Sequence, residues 1–301
     1  MYIKNFSGGS YMNFIYIGLI ILLYSFQTLF CKLFSDRYPG KKELVSPVFC
    51  VIQAVFITLA TYAFNGFQFH VSPLTLLFGI LNGLILFGYN TSLIKAGTLG
   101  SYAFLNVCLL YGAILVPSTY GIIFLQEGIT PLKILGIFMM LIACAFMNIE
   151  EIKLKDSSIK YYIFCILLFL FNGAYCTIIK MQTIYFNEEK QSMIMITFSL
   201  MGIIALINLI TKEKGSTLQA FKLNKKCFPS LTLCLISATL AINLLMYILP
   251  LIDTAVLYTI QNGGVLILSA LYSVFLFKEK ISLQKIFGIV VAVISITILS
   301  I

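Results

Sequence analysis

The sequence predicts an all-α integral membrane protein with ten transmembrane helices, arranged as two inverted five-helix repeats. Three observations lead to this prediction. The 301 residues are 60% apolar and only 10% charged, whereas a soluble domain is usually about 25% charged. The apolar residues fall into ten runs, each near the roughly 20 residues that a membrane-crossing helix needs. A motif from the middle of the chain returns near its end.

The ten apolar runs define the predicted helices in chain order. They cover residues 14–34, 45–64, 74–95, 101–124, 132–148, 160–179, 192–211, 228–249, 253–276 and 285–301. The first run is too long for a signal-peptide core and no small-x-small cleavage site follows it, so we expect it to remain in the mature protein. The short loops between the runs leave no room for a separate soluble domain.

The repeated motif is E-x-I-[ST]-x-x-K-I-x-G-I, which starts at Glu127 and again at Glu279, 152 positions later. A second echo relates the first helix of each half, "LLYSFQTLFC" and "LLFLFNGAYC". The predicted organisation is an N-terminal extension (1–13, with Met12 as a second candidate start), a first repeat (14–149) and a second repeat (159–301). Five helices per half make the two copies cross the membrane in opposite senses, which is typical of transporters.

The motif itself indicates a structural role. Thr130 and Ser282 are suited to cap the N-termini of the fifth and tenth helices, and Gly136 and Gly288 allow close helix contact. We expect both glutamates of the motif to end the preceding helix at the membrane interface, where a carboxylate stays hydrated.

The sequence resembles ten-helix members of the drug/metabolite transporter (DMT) superfamily, of the EamA-like type, over essentially its whole length. The resemblance implies secondary transport of metabolites, amino acids or toxic organic compounds, efflux included, by alternating access. The usual aromatic-Gly-x-Asn pattern near the first helix appears here only as Phe26-Gln27 and Phe171-Asn172-Gly173, and the chain has no tryptophan. The subfamily and the substrate therefore stay open.

Polar side chains inside apolar helices are costly and usually face the bundle interior. The ninth predicted helix carries a stripe of them on one face, from Thr254 to Tyr272. The predicted substrate-binding residues are Gln27, Asn82, Tyr89, Asn90, Tyr102, Asn106, Asn172, Asn243, Tyr247, Tyr258, Gln261 and Asn262. The alternative is that single members form interhelical hydrogen bonds, typically worth about 0.6 kcal/mol each.

Charged groups are expected to stay out of this site. No Asp, Glu or His falls deep in a predicted helix, and Lys180 and Asp253 fall near helix ends, where they can snorkel or line a vestibule. A neutral, aromatic and amide-rich site suits an uncharged, zwitterionic or amphipathic organic solute. We predict no cofactor and no metal, because His70 is the one histidine and the eight cysteines form no C-x-x-C pair.

The predicted function is a secondary transporter that is not an enzyme. An integral membrane enzyme or a lipid flippase for an amphipathic substrate remains the alternative. The expected partners are a small-molecule substrate and membrane lipids, without nucleic acid; a homodimer is left open. The expected location is the cell (inner or plasma) membrane as a multi-pass protein. Lys and Arg number 16 on the side of the odd-numbered loops and 4 on the other, which places both termini outside the cytoplasm, against the habit of the resembled superfamily.

Overall fold

A computed structural model describes residues 10–99, 102–148, 159–213, 217–276, 278 and 282–300. Within these ranges the chain is helical almost throughout, without strands. The helices are α1 (Ser10–Arg37), α2 (Val45–Phe64), α3 (Pro73–Leu99), α4 (Tyr102–Phe124), α5 (Pro131–Asn148), α6 (Ile159–Tyr185), α7 (Lys190–Glu213), the four-residue α8 (Thr217–Ala220), α9 (Cys227–Ile248), α10 (Thr254–Phe275) and α11 (Leu283–Leu299).

Nine of the described helices are long and apolar enough to cross a membrane, and α11 is an apolar helix of 17 residues. The prediction of apolar helices of membrane-spanning length is confirmed, and α2 begins and ends at the predicted residues, 45 and 64. Four helices end beyond their predicted last residues: α1 at Arg37 (predicted 34), α3 at Leu99 (predicted 95), α6 at Tyr185 (predicted 179) and α7 at Glu213 (predicted 211). α1 begins at Ser10, before the predicted start at residue 14. The described chain is a multi-pass helical membrane protein.

The caps expected from the motif are present. The Thr130 hydroxyl accepts a hydrogen bond from the Lys133 backbone N–H at the start of α5, and the Ser282 hydroxyl accepts one from Lys285 at the start of α11, both at 3.2 Å. At the end of α4, the Glu127 N–H donates to the Gly121 carbonyl at 3.1 Å. Glu279 lies outside the described residues.

The two helices that follow the motif pack on each other. A Cβ at Gly136 of α5 would lie 2.6 Å from Leu299 of α11. A Cβ at Gly288 of α11 would lie 2.5 Å from Met147 and 3.0 Å from the Ala143 carbonyl oxygen. The predicted close contact at both glycines is confirmed, because a side chain at either position would push α5 and α11 apart.

The remaining long helices form two three-helix groups. The α1 group consists of α1 with α9 and α10 packed on it, and the α6 group consists of α6 with α3 and α4 packed on it. The groups meet where α4 contacts α10, and α2 packs on α7 beside them. The largest apolar core cluster draws residues from both groups, for example Ile20 of α1, Ile179 of α6 and Leu257 of α10. Any site in the middle of the bundle therefore lies between the α1 group and the α6 group.

The contact between α4 and α6 is closer than the contact between α10 and α1. A Cβ at Gly112 of α4 would lie 2.2 Å from the carbonyl oxygen of Phe169 of α6, and a Cβ at Gly173 of α6 would lie 2.9 Å from the Gly112 oxygen. Gly264 of α10, 152 positions after Gly112, instead faces the side chain of Ile21 of α1, the nearest atom being 2.6 Å away. Gly112 of α4 therefore lies against the backbone of α6, whereas Gly264 of α10 lies against a flexible side chain of α1.

Candidate functional site

Four tyrosines lie inside the bundle, two from each group. Tyr24 of α1 and Tyr258 of α10 come from the α1 group, and Tyr89 of α3 and Tyr175 of α6 come from the α6 group. Tyr24, Tyr175 and Tyr258 lie in or against one apolar core cluster, whereas Tyr89 packs against the neighbouring cluster around Tyr161 and lies within electrostatic range of Tyr175. The Tyr258 hydroxyl is buried and donates to the backbone carbonyl of Cys176 at 3.0 Å. We call Tyr24, Tyr89, Tyr175 and Tyr258 the tyrosine cluster.

Amide side chains with unpaired polar atoms lie on the same helix faces. Asn82, fully buried, stands seven residues before Tyr89 on α3, and neither of its amide atoms has a hydrogen-bond partner. Gln27 and Gln261 each stand three residues after a cluster tyrosine, and the Oε1 of each is buried and unpaired. An unpaired buried polar group costs about 1–3 kcal/mol. Residues three or seven apart share a helix face, so these amides are directed to the same region as the tyrosines.

Three other predicted site residues donate hydrogen bonds to backbone carbonyls. Asn90 and Asn262 donate to carbonyls of their own helices, and Asn172 of α6 donates to a carbonyl of α4, at 2.8–3.0 Å. Asn106 is half-buried on α4. The side chain of Tyr102 lies outside the described part of the structure, although α4 begins at that residue.

Asn243 and Tyr247 of α9 make contacts away from the tyrosine cluster. The Asn243 amide donates to the Thr61 hydroxyl of α2 at 3.1 Å, which is the interhelical bond that the alternative reading anticipates. Tyr247 is half-exposed, packs edge-on against Tyr16 of α1 and lies under the Lys190 ammonium, 5.7 Å from its ring centre.

Two cluster members, Tyr24 and Tyr175, were absent from the predicted set. Tyr24 stands three residues before Gln27, and Tyr175 stands three residues after Asn172. Both were therefore on the same helix face as a predicted amide. A search one helical turn to either side of each predicted amide would have included both tyrosines.

A second polar site joins the two groups at one end of the bundle. Glu127, in the α4–α5 connection, accepts hydrogen bonds from both the backbone N–H and the hydroxyl of Thr254, the first residue of α10, at 2.8 and 2.5 Å. Its carboxylate lies against Gly121 of α4, where a Cβ would be 2.5 Å away. Glu127 thus caps the N-terminus of α10 from another part of the chain, since the preceding Asp253 makes no side-chain cap.

Lys180 of α6 completes this polar site. Its ammonium lies 3.4 Å from the Glu127 carboxylate and donates to the carbonyls of Leu249 and Ile252, between α9 and α10, at 2.8 and 3.1 Å. The side chains of Lys180 and Glu127 are only 3% and 10% exposed. The expectation that Lys180 snorkels or lines a vestibule is therefore wrong, and so is the expectation of a hydrated Glu127. α6 continues beyond residue 179, so Lys180 lies inside the helix and its charge is balanced by protein atoms.

Lys133 of α5 pairs with Asp253 at the more exposed edge of the same site and also donates to the Gly128 carbonyl at 2.9 Å. We call Glu127, Lys133, Lys180, Asp253 and Thr254 the Glu127 cluster. Among the described residues, no group of three or more His, Cys, Asp or Glu side chains is placed to hold a metal ion. The Glu127 cluster mixes both signs of charge and its carboxylates already have protein partners.

An apolar groove of about 440 Å³ lies on the membrane-facing side of α2, α3 and α7. Large side chains such as Leu59, Ile80 and Ile203 line it, and each is exposed. One polar pair lies within it, the hydroxyls of Thr58 and Ser199 at 3.2 Å. The groove is thus suited to an acyl chain more than to a polar solute.

The fold and these sites define a multi-pass helical membrane protein with a polar centre. The sequence profile of the Small Multidrug Resistance protein family matches residues 215–292, about a quarter of the chain, which includes α9 and α10. A crystal structure of another protein superimposes with a TM-score of 0.75 over 95% of this chain and 96% of that chain, at 13% sequence identity. At that identity the likeness shows a shared fold alone. No match was found among curated proteins.

Proposed function

We propose that this protein is a secondary transporter that carries a small organic solute between the α1 group and the α6 group by alternating access. The observation that carries the proposal is the tyrosine cluster, because its side chains come from both groups, its Tyr258 hydroxyl bonds α10 to α6, and buried amides with unpaired atoms lie on the same helix faces. A site shared by two helix groups is what a carrier needs, since moving the groups exposes the same residues to each side in turn. The match to the Small Multidrug Resistance protein family supports a transport role.

The packing of the helices supports two inverted five-helix repeats of the DMT type, EamA-like, with α11 as the tenth span. In that arrangement α1, α4 and α5 correspond to α6, α10 and α11, and α3 corresponds to α9. The contact of α1 with α9 then has its counterpart in that of α6 with α3, and the contact of α4 with α6 in that of α10 with α1. The α2–α7, α4–α10 and α5–α11 contacts each join a helix to its own counterpart, as a pseudo-two-fold axis requires.

The side chains around the centre favour a neutral, zwitterionic or amphipathic solute with an aromatic or apolar portion. Tyrosine rings offer flat apolar faces and a polar tip, and Asn82, Gln27 and Gln261 offer unpaired amide atoms. The charged Glu127 cluster has its own partners and lies at one end of the bundle. The site we propose consists of the tyrosine cluster with Gln27, Asn82, Asn172, Gln261 and Asn262, in a protein of the cell membrane that works without a cofactor.

The groove along α2, α3 and α7 favours one second candidate, a flippase for an amphipathic lipid. Its apolar lining and single hydroxyl pair suit an acyl chain that runs beside the bundle. In that case the headgroup would have to cross near the centre while the chain stays in the groove.

Counterflow in proteoliposomes tests the transport proposal. Purified protein is first screened against metabolites, amino acids and aromatic drugs by thermal shift, because a ligand of the folded state raises its apparent stability. Ligands that stabilise the protein are then loaded into vesicles, and saturable exchange with labelled external ligand supports a carrier. Movement of a labelled lipid between leaflets without solute exchange would favour the flippase, and covalent change of the ligand would contradict both.

A further inference from the structure

We propose that the Glu127 cluster is a gate that holds the α1 group and the α6 group together at one end of the solute pathway. The inference rests on the proposed transport function, since a gate has meaning only where the two groups separate.

The hydrogen bonds of the two buried side chains cross between the groups, whereas their own ion pair, at 3.4 Å, lies within the α6 group. Glu127 follows α4 of the α6 group, and it binds the first residue of α10 in the α1 group through Thr254. Lys180 belongs to α6, and it binds two carbonyls between α9 and α10 of the α1 group. Separation of the groups at this end therefore breaks four hydrogen bonds, at 2.5–3.1 Å, together.

The chemistry of the cluster makes the closed arrangement a discrete state. A buried ammonium and a buried carboxylate are tolerated when each is paired and hydrogen-bonded, and removing one partner leaves an uncompensated charge. The positive end of the α10 helix dipole adds to the attraction for Glu127. Water that enters on opening hydrates both charges, so the open state is also accessible.

The gate lies next to the tyrosine cluster along α6. Cys176 stands four residues, or about one helical turn, before Lys180, and its carbonyl accepts the Tyr258 hydroxyl. Opening at the Glu127 cluster therefore exposes this part of α6 before it exposes anything further along the helix. Cys176 is buried when the gate is closed, so its reactivity reports the state of the gate.

A matched control exists at the same end of the bundle. Glu189, before α7, accepts hydrogen bonds from the backbone N–H and hydroxyl of Ser72, at 2.9 and 2.8 Å. Ser72 directly precedes α3, so Glu189 caps that helix as Glu127 caps α10. The Glu189 contact joins α3 to α7, which pack on each other, and does not bridge the two groups.

The test is the rate at which a water-soluble thiol reagent modifies each native cysteine, read peptide by peptide by mass spectrometry on the whole protein in vesicles. Glu127→Gln keeps the size of the side chain and removes its charge. We expect it to speed modification of Cys176 on the order of tenfold. Buried Cys144 of α5 and Cys165 of α6 should keep their wild-type rates. Glu189→Gln should change none of the three rates.

Equal acceleration at Cys144 and Cys165 would show general loosening and overturn the gate, as would an unchanged rate at Cys176. If Glu127→Gln does not fold, Thr254→Val removes one of the same contacts without stranding a charge, and a smaller selective rise at Cys176 is expected. Counterflow by the wild-type protein is measured in the same vesicles. Its absence would refute the transport proposal, whereas normal counterflow with unselective labelling would refute the gate alone.

Discussion

Gly112→Ala and Gly264→Ala place the same methyl group at positions 152 residues apart, on α4 and α10, and we predict unequal effects. At Gly112 the methyl group would lie 2.2 Å from the Phe169 carbonyl oxygen and 2.9 Å from two further backbone atoms of that residue. At Gly264 it would meet only side-chain atoms of Ile21, at 2.6–3.0 Å. A side chain can rotate away, whereas a helix backbone must move as a body.

The expected magnitudes follow from two opposing terms. Alanine is favoured over glycine inside a helix by about 1 kcal/mol, and overpacking costs about 1–3 kcal/mol, or more where backbones collide. The net expectation is a loss of about 2 kcal/mol in unfolding free energy for Gly112→Ala and a change within about 1 kcal/mol for Gly264→Ala. In a chain of this size, 2 kcal/mol corresponds to a fall of roughly 3 °C in melting temperature.

Thermal unfolding followed with a thiol-reactive fluorescent dye suits this protein, because six of its eight cysteines are buried and become reactive on unfolding. Both variants are compared with the wild type in the same detergent. Equal melting temperatures for the two variants, or a lower one for Gly264→Ala, would refute the distinction between backbone and side-chain contact.

Three further predictions are open to direct measurement. The double substitution Gln261→Ala and Asn262→Ala should weaken counterflow at an unchanged melting temperature. Wild-type transport by this variant would show that α10 does not line the solute pathway. Thr254→Val should lower the free energy of unfolding by about 1–2 kcal/mol, because Glu127 loses a hydrogen-bond donor. Thr259→Val should leave it unchanged or raise it, because the buried Thr259 hydroxyl has no partner. A lower melting temperature for Thr259→Val than for Thr254→Val would contradict these hydrogen-bond assignments. Both termini should face outward, so a C-terminal alkaline phosphatase should be active and a green fluorescent protein fusion dark; the reverse pattern would show that the lysine bias does not set the orientation.

The sequence was sufficient for the helices and for the contacts that the motif makes locally. Long apolar runs predicted the spans within a few residues, because the membrane core demands that length. The caps at Thr130 and Ser282 depend only on neighbours three residues away, so they too were predictable. The contacts of Gly136 and Gly288 were expected because small residues recur where helices approach closely.

The charged cluster was not predictable in the same way. Lys180 appeared to lie at a helix end because the hydropathy of α6 falls after residue 179, although the helix continues to Tyr185. Its partners come from the α4–α5 and α9–α10 connections, far away in the chain. Only the packing of the two groups brings these segments together. Likewise the meeting of Tyr24 with Tyr175 depends on which faces of α1 and α6 approach, and no single-helix pattern determines that.

The pairing of α5 with α11 also has a consequence for how the protein is made. α5 ends at Asn148, and its partner begins only at Leu283. At about 5–20 residues per second, α11 leaves the ribosome on the order of ten seconds after α5. In the same way, α1 is synthesised well before its partner α9, and α2 before its partner α7. During synthesis, lipid or an insertion chaperone must cover the faces that later join early helices to late ones, so the first half reaches its final packing only when the second half has been delivered to the membrane.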